Sequence, residues 1–188
     1  FSLSLETPFA GLGNPVNFLQ FSCARKLQTF NGGANWNLLQ SDIYAYSDIG
    51  LNFSKSFKKM AFGARLRLLY DSFKKDNFTF WQDDIVDDPV FNDGYSKIAF
   101  TGDLGFAAKI SDRATLGITA KNLLDPDLAL DNSMKSKNGR AFYSGLSYDF
   151  EKYGALYGQA GYSLSSPDGS AFNYGFGYET KPIGDILS

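Results

Sequence analysis

The sequence predicts an all-β fold: an antiparallel up-and-down transmembrane β-barrel of the outer-membrane type, one domain over 1–188 or a portion of a larger barrel. Three observations predict it. Strand-like stretches alternate large apolar residues with charged, amide, hydroxyl or glycine residues, which gives each strand one greasy and one wet face. Several stretches run to roughly ten to sixteen residues, the length of tilted membrane strands rather than of soluble ones. Short and long connections alternate along the second half, as where short turns gather at one end of a barrel and longer loops at the other.

Taken in order, Phe1 to Glu6 sets Phe1, Leu3 and Leu5 against Ser2, Ser4 and Glu6. Val16 to Lys26 is a strand of unassigned phase. Asp42 to Phe57 carries Ile43, Ala45, Ile49, Leu51 and Phe53 on one face and Tyr44, Tyr46, Asp48, Gly50 and Asn52 on the other. Met60 to Asp71 sets Phe62, Leu66 and Leu68 against Arg65 and Arg67. A soluble core would have to pair both guanidiniums, whereas a wet lumen takes them at little cost. Lys97 to Ile110 sets Ile98, Phe100, Leu104 and Phe106 against Lys97, Asp103 and Lys109. Ala114 to Leu124, Arg140 to Phe150, Ala155 to Leu164 and Ala171 to Thr180 follow, the last with Phe172, Tyr174, Phe176 and Tyr178 on one face. That makes nine strands, an odd number where single-chain bacterial barrels have an even one. No helix is predicted, because Pro126 interrupts the helical character of Leu123 to Met134.

Tight turns are expected at Phe57-Lys58-Lys59, Ser111-Asp112-Arg113 and Glu151 to Gly154. Longer connections fall at Ser72 to Gly94, Asp125 to Gly139 and Ser165 to Ser170. Aromatics near strand ends (Tyr70, Tyr95, Tyr148, Phe150, Tyr178) sit where an interfacial girdle belongs.

Composition narrows the function. The 18 basic and 20 acidic residues leave no basic excess for nucleic acid. Glycine (19 residues) and aromatics (16%) dominate as they do in barrels. The chain has no histidine, so histidine-based catalysis and histidine metal sites are excluded. Cys23 has no partner for an internal disulfide or a zinc site and reads as a strand cysteine. The start at Phe1 shows no charged and apolar leader, as expected of a mature form or a fragment.

Two sets of residues carry the resemblance to a known family. Ser47-Asp48-Ile49-Gly50-Leu51-Asn52-Phe53-Ser54 with Phe62-Gly63-Ala64-Arg65-Leu66-Arg67 is one, and Asp103 to Ala108 with Ala114 to Leu124 is the other. They resemble paired strands of the FadL-like barrels, and within them the PorV/PorQ branch, over roughly residues 42 to 180. The resemblance implies a barrel of about fourteen strands that moves hydrophobic molecules or acts in secretion.

The function expected is therefore an outer-membrane barrel protein with a transport, secretion-associated or structural role, not an enzyme, in the outer membrane of a diderm bacterium. The expected partners are outer-membrane lipid and other envelope or secretion proteins, with no nucleic acid, cofactor or metal. The lumen-facing set is Arg65, Arg67, Lys97, Asp103, Lys109 and Lys121. The lipid-facing set is Phe62, Leu66, Leu68, Ile98, Phe100, Leu104, Phe106, Phe172, Tyr174 and Phe176. Simple hairpin registers put Arg65 near Thr101 and Asp103 near Lys121. The rival is a soluble β-sandwich or barrel that binds a ligand or partner through the 72–94 loop. Within that loop Asp83, Asp84, Asp87, Asp88 and Asp93 read as a solvated acidic surface, their spacing matching no EF-hand.

Overall fold

A computed structural model describes residues 1–6, 16–74, 91, 93–131, 135–151, 153–164 and 171–180. Ten strands form one sheet: β1 (Ser2–Glu6), β2 (Asn17–Lys26), β3 (Asn31–Gln40), β4 (Tyr44–Phe57), β5 (Met60–Phe73), β6 (Ser96–Lys109), β7 (Ala114–Lys121), β8 (Ala141–Asp149), β9 (Gly154–Ser163) and β10 (Ala171–Thr180). Each strand pairs antiparallel with its sequence neighbours, so the sheet is an up-and-down meander. It is not closed: β1 and β10 are its two edges.

The expected strands are present, and a tenth, β3, lies between the second and third of them. Its sequence, NGGANWNLLQ, opens with residues depleted from strands, which hid it from the periodicity. It is held by full ladders to β2 and β4, so pairing overrides local propensity. β7 stops at Lys121 rather than Leu124, because Asn122 takes φ +55° and turns the chain out of the strand.

The connections sort by end. One end holds 27–30, 58–59, 110–113 and 150–153; the other holds 7–16, 74–95, 122–140 and 164–170, with 41–43 as its one short connection. The 150–153 turn shows why sequence matters at the short end. Gly154 has φ +130°, and a Cβ there would fall on the carbonyl oxygen of Glu179, so only glycine fits.

The strands are staggered as well as paired. One row across the sheet runs Ser22, Asn35, Gly50, Arg67, Thr101. From that row to the short-turn end, β2 has four residues left (Ser22 to Lys26), β4 seven (Gly50 to Phe57) and β6 eight (Thr101 to Lys109). The slip is about one residue, ~3.3 Å, per ~4.8 Å strand step, a tilt of roughly 35°. Closed barrels tilt by about 35–45°.

The register divides the sheet into two faces. One carries Phe62, Leu66, Leu68, Ile98, Phe100, Leu104, Phe106, Phe172, Tyr174 and Phe176. Leu68 and Phe106 are half-buried and the other eight exposed, up to 81% for Phe176. Toward the short-turn end of this face, Phe57, Phe62 and Phe106 meet in a row (6.1 and 5.0 Å between ring centroids), and Tyr148 and Phe150 form a separate pair (4.9 Å).

Candidate functional site

The opposite face is polar. It carries Arg65, Arg67, Lys97, Asp103, Lys109 and Lys121 together, as the alternation requires. The register is shifted from expectation in one hairpin. Arg65 lies across from Asp103, and Arg67 across from Thr101. The 74–95 connection is too long for the tight-turn rule to give the register from the sequence, and facing side chains specify it instead. Across β6 and β7, joined by a short turn, the pairing Leu104 with Ala120 puts Asp103 beside Lys121, as expected.

The centre of the polar face is a charge network built on Asp48 of β4. Arg67 donates from Nε to Oδ1 (3.1 Å) and from Nη2 to Oδ2 (2.9 Å) of Asp48. Arg65 Nη2 reaches the same two oxygens at 3.2 and 3.1 Å. Asp103 Oδ1 stands 3.6 Å from Arg67 Nη1. Two carboxylates thus meet two guanidiniums, and the network is neutral overall. A paired fork of this kind is stronger and more directional than a lysine contact. Asp48 and Asp103 are only 6% and 8% exposed. Such burial is tolerated because every charge has an opposite one in contact.

Neighbouring residues make room for the network. A Cβ on Gly50 would come within 2.5 Å of Arg65 Nε and would also strike Asn35 Oδ1. Glycine there lets both side chains cross the strand. Asn52 Nδ2 donates to Asn35 Oδ1 at 2.9 Å, fixing the amide beside the arginines.

The network continues out of the sheet through Asn122. Arg67 Nη1 donates to Asn122 Oδ1 (2.8 Å), the Asn122 backbone N–H donates to Asp103 Oδ1 (2.9 Å), and Asn122 Nδ2 donates to the Gly139 carbonyl (3.1 Å). Sequence reasoning placed Asp48 on the wet face without giving it a role, and it missed Asn122 and Asn35. The signal for Asp48 was present, since two arginines on adjacent wet positions of one strand require acidic partners nearby. Asn122 gave no such signal, because only the fold brings it to Arg67.

The other charged positions lie outside the Asp48 network. Lys109 and Lys121 are exposed and Lys97 half-buried. Lys121 Nζ lies over the Tyr143 ring, 4.9 Å from its centroid. That ring covers Gly161, where a Cβ would come within 2.5 Å of Tyr143 Cδ1.

From β7 to β10 the polar face carries its charges near the strand ends, at Lys121, Asp149 and Glu179, the last accepting from Tyr157 Oη at 2.7 Å. A concavity of about 570 Å³ is lined there by Thr115, Ser147, Tyr157, Gln159 and the glycines between them. At Gly177 an added Cβ would meet nothing within 4 Å. Among the described residues no cluster of three acidic or thiol side chains is arranged to hold a metal ion. Asp83, Asp84, Asp87 and Asp88 lie outside the described residues, as does most of the 72–94 loop. Among the described residues no helix is long and apolar enough to cross a membrane, which has no bearing on crossing by strands. Comparison with protein-family models, curated proteins and solved structures finds no match to this chain.

Proposed function

We propose that the chain is an outer-membrane β-barrel protein, or part of one, with its apolar face to lipid and its polar face to a water-filled lumen. The observation that carries this reading is the inversion of exposure. Phe176, Tyr174, Phe172 and Phe100 are 81%, 71%, 67% and 67% exposed, while Asp48, Asp103 and Thr101 are among the most buried residues. Moving one such apolar side chain out of water is worth about 1.5–3 kcal/mol. A continuous band of them is unsuited to water and suited to hydrocarbon. The barrel-like tilt and the sorted connections support the same reading.

The role is transport, secretion-associated or structural, at the outer membrane of a diderm bacterium, with lipid and other envelope proteins as partners. The strand resemblance to FadL-like and PorV/PorQ barrels supports it. No residue of the polar face is assigned a catalytic task.

The test is flotation with lipid vesicles after refolding from denaturant, together with gel mobility before and after heating. Flotation and a heat-shifted band are expected. A monomer that stays soluble in plain buffer and does not float would sink the proposal and favour the soluble sandwich.

A further inference from the structure

The polar face should be open to the lumen, yet part of it is covered. Leu69 of β5 is fully buried, and its cross-strand partner Ala99 and nearby Thr101 of β6 are 9% and 2% exposed. Arg67, across from Thr101, and Asp48, across from Leu69, shield part of this patch, and a segment of chain folded onto the sheet can shield the rest.

The connection from β7 to β8 has matching burial. Pro126, Ala129, Leu130 and Asp131 are all buried. This connection is also built rather than loose. Leu128 N–H donates to the Ser136 carbonyl (3.0 Å) and Asn138 N–H to the Pro126 carbonyl (2.8 Å), with a β-bridge between Asp127 and Lys137. Asp127 Oδ1 accepts from the N–H groups of Ala129 and Ser136, both at 3.0 Å. Lys137 Nζ reaches Asp125 Oδ2 at 3.0 Å.

Its root is fastened to the sheet. Asn122 is bonded to Arg67, Asp103 and Gly139 at once, and Leu123 N–H extends the β6 ladder to the Gly102 carbonyl at 3.0 Å. Asp127 also feels the ammonium of Lys97, two positions from Ala99 on the same face of β6. The bonds of Asn122 and Leu123 place the root of the lobe beside the covered patch, since Arg67 lies across from Thr101 and Gly102 follows Thr101.

We infer that residues 122–131 and 135–140 form an inward-folded lobe, pinned over the β5–β6 patch through Asn122, and that this lobe sets the size limit of the passage. The inference rests on the barrel reading proposed above. It gives the charge network a purpose beyond pairing: Asp48 and Asp103 fix Arg67, and Arg67 and Asp103 fix the root of the lobe. Asn122 is a positioning residue in this scheme, and the lobe itself faces the solute.

Two readouts test it. In a Cys23→Ser background, Lys97→Cys with Asp127→Cys should cross-link through a short bis-maleimide in the folded, vesicle-inserted protein. In liposome swelling with a ladder of neutral oligosaccharides, replacing residues 126–138 by Asn-Gly should admit larger sugars, with rates raised severalfold. Asn122→Gly keeps the backbone conformation and loses both side-chain bonds, so it should shift the cutoff the same way. Asn122→Asp keeps only the acceptor for Arg67 and should fall between. Absence of the cross-link overturns the inference, and so does an unchanged cutoff, or no passage, in the lobe-deleted protein. Flotation is scored separately, so a chain that never enters vesicles fails the membrane reading and is not mistaken for a failure of the lobe.

Discussion

The polar face contains two walls made from the same alternation and used differently. Over β4 to β6 the wet positions carry Asp48, Arg65, Arg67 and Asp103, and each is bonded to another. Over β7 to β10 the charges Lys121, Asp149 and Glu179 lie near the strand ends, and Thr115, Gly117, Gly145, Ser147, Tyr157, Gln159, Gly175 and Gly177 line a concavity between them. The glycines differ in the same way. Gly50 is demanded by contact, because side chains of β3 and β5 pass over it. Gly177 is not, because a Cβ there has open space. One wall is filled by an ion-pair network, and the other carries small residues at its centre.

The largest effect is expected where the filled wall loses its hub. Asp48→Ala leaves two guanidiniums facing each other without their shared carboxylate. Breaking a buried ion pair from one side costs about 3–5 kcal/mol. Unfolding by urea in detergent micelles should show a loss of that order. Arg65→Leu with Arg67→Leu strands the same carboxylate and should destabilise comparably or change conductance. A loss under about 1 kcal/mol in both variants would mean that the network is solvated and the filled-wall description is wrong.

The glycines give a finer contrast. Gly50→Ala should push Arg65 off Asp48 and cost about 1–3 kcal/mol, the range for a disrupted buried polar contact. Gly177→Ala should be neutral or stabilising by up to about 1 kcal/mol, since alanine is the better strand residue. Gly177→Thr should keep stability and lower solute passage. Equal stability losses at Gly50 and Gly177 would erase the distinction between the walls. Between these extremes, Tyr143→Ala uncovers Gly161 and removes the ring beneath Lys121. Its expected cost is about 1 kcal/mol, read from the same unfolding curves.

Most of the sheet was legible in the sequence because a sheet with one apolar and one polar face writes a period of two into each strand. Lys97 to Ile110 shows this best: its exposed Ile98, Phe100 and Leu104 and its buried Thr101 and Asp103 alternate in the fold as they do in the sequence. β3 was not legible. Its wet face is asparagine and glycine up to Leu39, which breaks the alternation, and its other face begins with Gly32 and Ala34 before Trp36 and Leu38 supply apolar bulk. Restoring it makes the strand number even. Register was legible only where a short turn dictates it, as between β6 and β7, and not across the 74–95 connection. The lobe was illegible for a different reason. Asn122, Pro126 and Leu130 belong to no period, and their roles come from contacts made after folding.

The smallest predicted effect separates the lobe from both walls. The Asp127 carboxyl is held below its ordinary value of 3.8, chiefly by the Ala129 N–H, with help from the Ser136 N–H and the ammoniums of Lys97 and Lys137. A carboxyl with a depressed folded value stabilises its surroundings above the unfolded value, and that contribution is lost as pH falls through the folded one. Hydrogen exchange at Ala129 and Ser136, corrected for intrinsic rates, should therefore be flat from neutral pH down to about 5 and accelerate below about 4. In Asp127→Asn the step should vanish and both amides should exchange faster at every pH, because the amide oxygen is a weaker acceptor than a carboxylate. A wild-type step that survives in Asp127→Asn would place the titrating group elsewhere. It would also remove the anchoring role of Asp127 while leaving that of Asn122 intact, since the Arg67 and Gly139 bonds involve no group that changes charge in that range.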